Sequence, residues 1–421
     1  MVRHVSSTCS LADAAPGSQE EEQLRAMEAA VKQLLVNVGE DPLREGLVDT
    51  PRRVAKAWLD MTRGYRQDHK SAFGTALFHE PIVSAGSDGL VIVRDITFAA
   101  LSEHTLLPFH GRCHIAYVPR HGVVLGLSKL ARVTKCLAAR LQTQQAFTER
   151  LIAAVAEEVQ AKGVAAVVQA VHLGDGPAPA AQLSSGATGV FSDPASGRLH
   201  EFVTLLRLSG RAAPPAACFA EQQPVAAEEA AAGGEQGAAA AASSSLVQAT
   251  DTLLQNVGED PGRKGLKGSA ARYASWLAGA TAGYRMQLPC GCSDAGCSGA
   301  ADGSSGGGGG SGGGSPVTAD GSSSSNRAAL RRIVEMFSKR LQVQERLTHQ
   351  VADAVASALG AAAVLVVVES AHMCMVARGV EKHASTTLTT AARGAWAEDT
   401  TARAAALEAL LDQQPHSPRK L

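Results

Sequence analysis

"LLVNVGEDPLREGL", residues 34–47, returns as "LLQNVGEDPGRKGL" at 253–266, an offset of 219 that also carries "GYR" from 64 to 283. Self-similarity of that length inside one chain marks a tandem duplication, and it sets the architecture before any single element is read. Downstream, "RVTKCLAARLQTQQ" (132–145) matches "RIVEMFSKRLQVQE" (332–345), and "AVHL" (170–173) matches "SAHM" (370–373), both at an offset of 200. The offsets differ by 19, the net number of residues lost between "GYR" and "RIVEMF" of the second copy. In that gap stands "LPCGCSDAGCSGAADGSSGGGGGSGGGSPVTADGSSSSN" (288–326). Such a Gly/Ser stretch buries too little apolar surface to offset its ordering entropy, so disorder is expected there. The first copy has "GLVIVRDITFAALSEHTLLPFHGRCHIAYVP" (89–119) instead, rich in β-branched residues and read as a strand pair.

The expected organisation follows: an N-terminal tail (1–22), a first domain (23–212), an Ala/Gly/Pro/Glu linker (213–244), a second domain (245–412) with a disordered insert near 288–326, and a C-terminal tail (413–421). Amphipathic helices are predicted at 23–37 and at 51–63, where Thr50 can cap and Pro51 suits the first turn. Residues 128–160 and 329–359 have apolar spacings of three and four and should be helical, with breaks near Leu141 and Leu341. "GVAAVVQAVHL" and "AAAVLVVVESAH" then read as strands. Helices following hairpins give an α+β class: in each copy an antiparallel sheet with helices on one face, the second copy lacking a hairpin.

Composition narrows the function. The chain has 421 residues, 45% apolar and 4% aromatic, so Ala, Val and Leu build the core. A formal charge of −1 supplies no global field toward nucleic acid or membrane, and an anionic substrate must meet a local basic cluster. No apolar run approaches the ~20 residues of a membrane helix, and the first residues carry no signal core, so a cytoplasmic protein is expected. Eight cysteines in a chain this long are no disulfide framework and point to a reducing compartment.

Chemistry gathers in "ESAHMCMVARG" (369–379), where His372 and Cys374 share one face of a strand end and Arg378 follows. A thiolate is a good zinc ligand and a histidine can bind metal or move protons, although a buried thiol with a hydrogen-bonded histidine has the same pattern. "LQVQERL" sets Gln344 and Glu345 at the break between helices. "GLSKLAR" offers Ser128, Lys129 and Arg132 at a helix start suited to an anion, and "TPRRVAK" adds Arg53 and Lys56. Singly each is an ordinary solvated helix face; together they suit a polyphosphate.

The combination "RDITF…LSEHTLLPF", "GLSKLAR", "LQVQERLT" and "ESAHMCMVARG" resembles GTP cyclohydrolase I across both copies, in the tandem form of plants and green algae. The resemblance implies tandem tunnelling-fold (T-fold) domains and, with Zn2+ as cofactor, conversion of GTP and water to formate and 7,8-dihydroneopterin triphosphate, the entry to folate and pterin synthesis. It matches His372 and His104 to catalytic histidines and Cys374 to a zinc ligand. Glu345 and Gln344 match the guanine-binding groups, while Ser128, Lys129, Arg132, Arg53, Lys56 and Arg378 match positions around the triphosphate and ribose. It also implies a homo-oligomer, roughly ten units in a double ring and hence about five tandem chains.

The sequence departs from that pattern. The family's Cys-Glu-His-His run, which holds two zinc ligands, is Ser102, Glu103, His104, Thr105 here, and Gly174, Gln145 and Ala178 replace the third ligand, the guanine-binding glutamate and the arginine. The second copy keeps His372, Cys374, Glu345 and Arg378, yet has Ala328 and Ala329 opposite Ser128 and Lys129, and Ser275 opposite Lys56. Its own Cys-Glu-His-His run falls in the missing segment, and Cys290, Cys292 and Cys297 lack the usual C-x₂₋₄-C spacing. Two readings therefore stand: a GTP cyclohydrolase I whose active site is incompletely represented here, as when a metal-ligand exon is missing, and a catalytically inactive T-fold subunit that binds GTP or pterin and modulates an intact paralogue.

Overall fold

The computed structural model describes residues 16–74, 77–79, 89–121, 123–174, 181–208, 210–212, 219, 244–288, 323–371 and 386–412. Most of the expected linker and of the Gly/Ser insert, Ala178, His372, Cys374, Arg378 and the loop cysteines lie outside them. The chain divides into two compact units, 1–274 and 275–421, so the opening of the second repeat belongs to the first unit.

In the first unit the sequence runs α1 (Pro16–Asn37), α2 (Thr50–Met61), α3 (His69–Phe73), β1 (Leu77–His79), β2 (Val91–Ser102), β3 (Pro108–Val118), β4 (Val123–Leu125), α4 (Leu127–Ala138), β5 (Leu141–Gln142), α5 (Gln144–Val159), β6 (Gly163–His172), β7 (Gln182–Gly189) and α6 (Arg198–Leu208). From the second repeat come α7 (Ser244–Asn256) and the start of α8 (Ser269–Ala280). The predicted strand pair is β2–β3, antiparallel, with its register shifting between Val93 and Ile96. Asp95 sits at that bulge with φ +58°. The sheet order is β5-β2-β3-β6-β7, and only the two-residue β5 runs parallel to its neighbour.

Period-two alternation builds two apolar layers. Cys113, Ile115 and Tyr117 of β3 and Val164, Ala166 and Val168 of β6 pack with Leu130, Val133, Phe147, Leu151 and Val155 of α4 and α5. Phe98 lies 4.6 Å from Phe147 there, a ring pair contributing about 1 kcal/mol beyond its buried area. The intervening Ala116, Val118, Ala165 and Val167 take Phe202, Val203 and Leu206 of α6, so a short third layer covers part of the opposite face. The break near Leu141 is present as β5, and Thr143 caps α5 by accepting the Ala146 N–H at 3.0 Å. At α2 the detail differs from expectation. Thr50 is the first helical residue, and its hydroxyl donates to the Gly46 carbonyl at 3.4 Å instead of capping.

Helices α1 and α7, equivalent in the two repeats, pack on each other. They run antiparallel: Gln23 Nε2 donates to the Asn256 carbonyl at one end, and Ser245 Oγ donates to Asn37 Oδ1 at 2.8 Å at the other.

The second unit holds the remainder of α8, then α9 (Ser323–Ser338), α10 (Gln344–Leu359), β8 (Ala363–Ser370), β9 (Thr387–Gly394) and α11 (Thr400–Asp412). Ile333, Met336, Phe337, Val351, Val355 and Val364 form its core. β8 pairs antiparallel with β9 from Ala363↔Gly394 to Ser370↔Thr387. β6, its first-repeat equivalent, has β3 on its other edge, whereas β8 has no further neighbour among the described residues. No described helix is long and apolar enough to cross a membrane. Cys113 and Cys136 are free and buried, and burial pushes the Cys113 thiol up to about 12.

Candidate active site

The loop joining β2 to β3 is residues 103–107, and it closes on its own hydrogen bonds. Ser102 N donates to the Leu107 carbonyl and Leu106 N to the Ser102 carbonyl, both at 2.9 Å. Ser102 Oγ, nearly buried, accepts the main-chain N–H groups of His104 and Thr105 at 3.2 and 3.4 Å. Thr105 Oγ1 accepts Leu107 N at 3.4 Å. Both hydroxyls that replace the family's ligand side chains are thus turned into the loop's own bonding. Gly174, at the third ligand position, has φ +98°, a conformation that disfavours any side chain there. The first repeat does not fit zinc, and no described group of three or more His, Cys, Asp or Glu could hold a metal ion.

The loop is also gripped from outside by the second repeat. Arg263 Nη1 reaches Glu103 Oε2 at 2.5 Å, Ser269 Oγ donates to the Glu103 carbonyl at 2.5 Å, and Arg272 Nε donates to the His104 carbonyl at 2.9 Å. Glu259 braces Arg263 with bonds of 2.6 and 3.0 Å, and Tyr65 O–H donates to the same carboxylate. The bond to Glu259, reinforced by Glu103, raises the Arg263 pKa further. Arg272 is the counterpart of Arg53 at the 219 offset, so the copy of the expected phosphate-binding arginine that meets His104 is the one in the second repeat. Sequence reading did not single out Arg263, Ser269 or Arg272; the repeat offset was the available signal.

His172 stacks on Phe109 at 4.7 Å, and its Nε2 lies 2.9 Å from Gln144 Oε1. Gln144 Nε2 donates to the carbonyls of Val168 and Gln182 at 3.1 and 3.3 Å, tying β6 to β7. Gln344 repeats this in the second unit, donating to Val368 and Thr387 at 3.0 and 2.8 Å while Ser370 Oγ donates to its Oε1 at 2.7 Å. With its side chain so committed, Gln344 holds two strands together. Glu345, one residue on in the first turn of α10, is exposed and available to a ligand.

The basic candidates are spread out. Ser128 and Arg132 are exposed on α4, and Lys129 lies over Gly74, where an added Cβ would approach its Nζ to 2.9 Å. Arg53 donates to Thr50 Oγ1 at 3.1 Å, and Lys56 lines a surface hollow with Glu20, Glu21, Arg52 and Arg66. Within the first unit, then, the second repeat's arginine is brought to His104, while Arg53 and Lys56 are directed elsewhere.

The sequence model of GTP cyclohydrolase I matches residues 27–175 and 328–411, more than half of the chain. The chain belongs to the GTP cyclohydrolase I family. GTP cyclohydrolase 1 of Solanum lycopersicum is 32% identical over 435 residues, covering 94% of each chain. That of Arabidopsis thaliana is 32% identical over 421 residues, covering 91% of this chain and 90% of its own. The Bacillus subtilis GTP cyclohydrolase 1 is 41% identical over 177 residues, 90% of its own length but 41% of this chain, so it corresponds to one repeat. The GTP cyclohydrolase I resemblance read from the motifs therefore holds, as does its tandem form, and the T-fold follows with the family.

Proposed function

We propose that this chain works as a GTP cyclohydrolase I of the pterin and folate route, opening the guanine imidazole ring of GTP with release of formate and 7,8-dihydroneopterin triphosphate. The carrying observation is the colinear match to the tomato relative named GTP cyclohydrolase 1, over 94% of both chains. In this reading the second repeat handles the base. Glu345, exposed at the start of α10, accepts from the guanine amine and ring N–H, a bidentate pairing a carboxylate makes well. His372 moves protons, Arg378 meets the phosphates, and Cys374 is the thiolate offered to zinc. In the first repeat, His104, whose main chain Arg272 holds in place, keeps the family's proton-transfer histidine, and Ser128, Lys129 and Arg132 keep groups suited to a triphosphate. Zinc, when bound, would supply an activated water. The test is zinc content together with GTP-dependent formate release on the purified chain, with Cys374→Ala beside it. Activity lost in that variant supports the reading; a wild-type chain without formate release refutes it.

A second reading is favoured by the commitment of the Ser102 hydroxyl to the His104 and Thr105 amides: a subunit that binds nucleotide without turnover and acts on an intact relative. GTP binding by calorimetry without formate release would select it, and failure to bind GTP would dismiss it.

A further inference from the structure

β8, Ala363–Ser370, reads "AVLVVVES" and corresponds at the offset of 200 to residues 163–170 of β6, "GVAAVVQA". β6 is an interior strand. β7 lies on one of its edges, and β3 lies on the other in antiparallel register from Phe109↔His172 to Val118↔Gly163. β8 keeps only the first of these neighbours, as β9, and among the described residues its other edge is bare. The stretch 288–326, which stands where the first copy has its hairpin, holds no run of β-forming residues to replace β3.

A strand edge presents a row of N–H and C=O groups that need partners, and natural sheets blunt bare edges with lysine, proline or a bulge. β8 has none of these. Its eight residues pair with β9 without a register shift, and their one ionisable group is Glu369, near the end. Relative to β6, the changes run toward stronger pairing: Ala165 and Ala166 are replaced by Leu365 and Val366. Val364 and Val366 face the core of the second unit, whereas Val367 points the other way and is 39% exposed.

The strand is also its own complement. Turned about a two-fold axis through Val366, β8 lies antiparallel to a second β8, with Val364 opposite Val368, Leu365 opposite Val367 and Ala363 opposite Glu369. Residues of one face oppose each other in this register, so both α10 helices stay on one side of the joined sheet. Every opposed pair but one is aliphatic, and the two Glu369 residues stand about 20 Å apart, so no like charges meet. Neither "QLSSGATG" of β7 nor "TLTTAARG" of β9, the other strands that end these sheets, offers the aliphatic pairs that β8 offers itself.

We propose that β8 of one chain pairs antiparallel with β8 of a second copy, giving a four-stranded sheet β9-β8-β8-β9 shared by two second units. The bare edge of one copy then satisfies that of the other. The inference concerns assembly and does not rest on turnover.

The test is Val366→Cys in the full chain, oxidised at micromolar concentration, digested and examined by mass spectrometry. A link between two residues 366 can only join two chains, and opposed Cα atoms about 4.5 to 5.5 Å apart lie within disulfide reach. A 366–366 link is expected. In Glu369→Cys the matching residues stand about 20 Å apart, so a 369–369 link should be about tenfold rarer or less. Val367→Lys, an exposed change added to Val366→Cys, sets a charge opposite Leu365 and should cut the 366–366 link about tenfold. Circular dichroism checks that each variant is folded. Hydrogen exchange of residues 363–370 in the unsubstituted chain reads the same contact independently, and protection should rise with protein concentration. Absence of the 366–366 link from folded protein overturns the proposal, as do equal links at 366 and 369 or exchange that ignores concentration. Predominant linkage of residue 366 to a peptide of β7 or β9 also overturns it, because a different strand then fills the edge. Formate release is measured separately, and neither result decides the other.

Discussion

Arg263 of the second repeat and Glu103 of the first meet at 2.5 Å, across 160 residues of sequence, with 32% and 17% of their side chains exposed. The same guanidinium serves Glu259, whose side chain is 8% exposed. Arg263→Ala would leave two poorly solvated carboxylates without a cation. Discounted for the solvent that reaches the pair, the loss should be about 1 to 2 kcal/mol. A lower urea midpoint for the first unit is expected, with partial recovery in Arg263→Lys, which keeps the charge but not the fork. An unchanged midpoint would remove the grip from the list of stabilising contacts.

Gly64 and Gly283 are repeat equivalents in equally tight places. A Cβ on Gly64 would stand 2.3 Å from the Cys136 carbonyl, and one on Gly283 would stand 2.1 Å from that of Met336. Backbone oxygens cannot step aside, so each Gly→Ala change should cost about 1 to 3 kcal/mol. Gly279, exposed in α8 with nothing within 4 Å, is the control. There, alanine should be neutral or stabilise by up to about 1 kcal/mol. Thermal scans of the three variants decide it, and equal effects at all three sites would contradict the geometry.

His114 is 1% exposed, and its Nδ1 accepts the Asp95 main-chain N–H at 3.2 Å. Burial first, then Arg211, Arg112 and Arg94, lower its pKa, against the opposing pull of Asp95. The folded state thus takes up the proton at lower pH than the unfolded chain, so stability should fall as pH drops below about 6.5. The Asp95 carboxyl is lowered chiefly by its bond from Arg211, so its contribution fails only in the more acidic carboxylate range. Urea midpoints between pH 7.5 and 5 should slope downward in wild type and flatten in His114→Gln. A parallel slope in both proteins would assign the dependence to another group.

Adjacent residues of α10 should separate two kinds of defect. Gln344→Leu removes the bonds to Val368, Thr387 and Ser370 and should lower stability by about 2 kcal/mol. Glu345→Gln alters an exposed carboxylate and should leave stability within about 0.5 kcal/mol while weakening GTP binding about tenfold. Denaturation and calorimetry on both variants test the split; tight GTP binding by Glu345→Gln would exclude the assigned role.

Periodicity and repetition carried much of the fold into the sequence. The β2–β3 pair, the break between α4 and α5, and the class of each repeat were legible because alternation and 3.6-residue spacing report which face an element buries. They do not report what it is buried against. Nothing in Phe202 or Leu206 says that α6 packs on the small residues Ala116 and Ala165 of the opposite sheet face. Nor does the apolar stripe of α7 say that its neighbour is α1, of the other repeat. At the site, the residue types lost from the first repeat were visible as letters. That Ser102 turns its hydroxyl to the His104 and Thr105 amides was visible only in three dimensions, because an isolated serine reads equally as ligand loss and as loop bonding.

α7 lies on one side of residues 213–243, and its partner α1 lies on the other with the rest of the first repeat. Fusing the copies turns a bimolecular encounter into a ring closure, so the second copy's opening segment meets the first at an effective concentration that does not fall on dilution. The first unit can then use a grip too weak to hold separate chains at cellular dilution. A protease cut in the tether would leave every bond of the unit in place yet make its integrity depend on protein concentration.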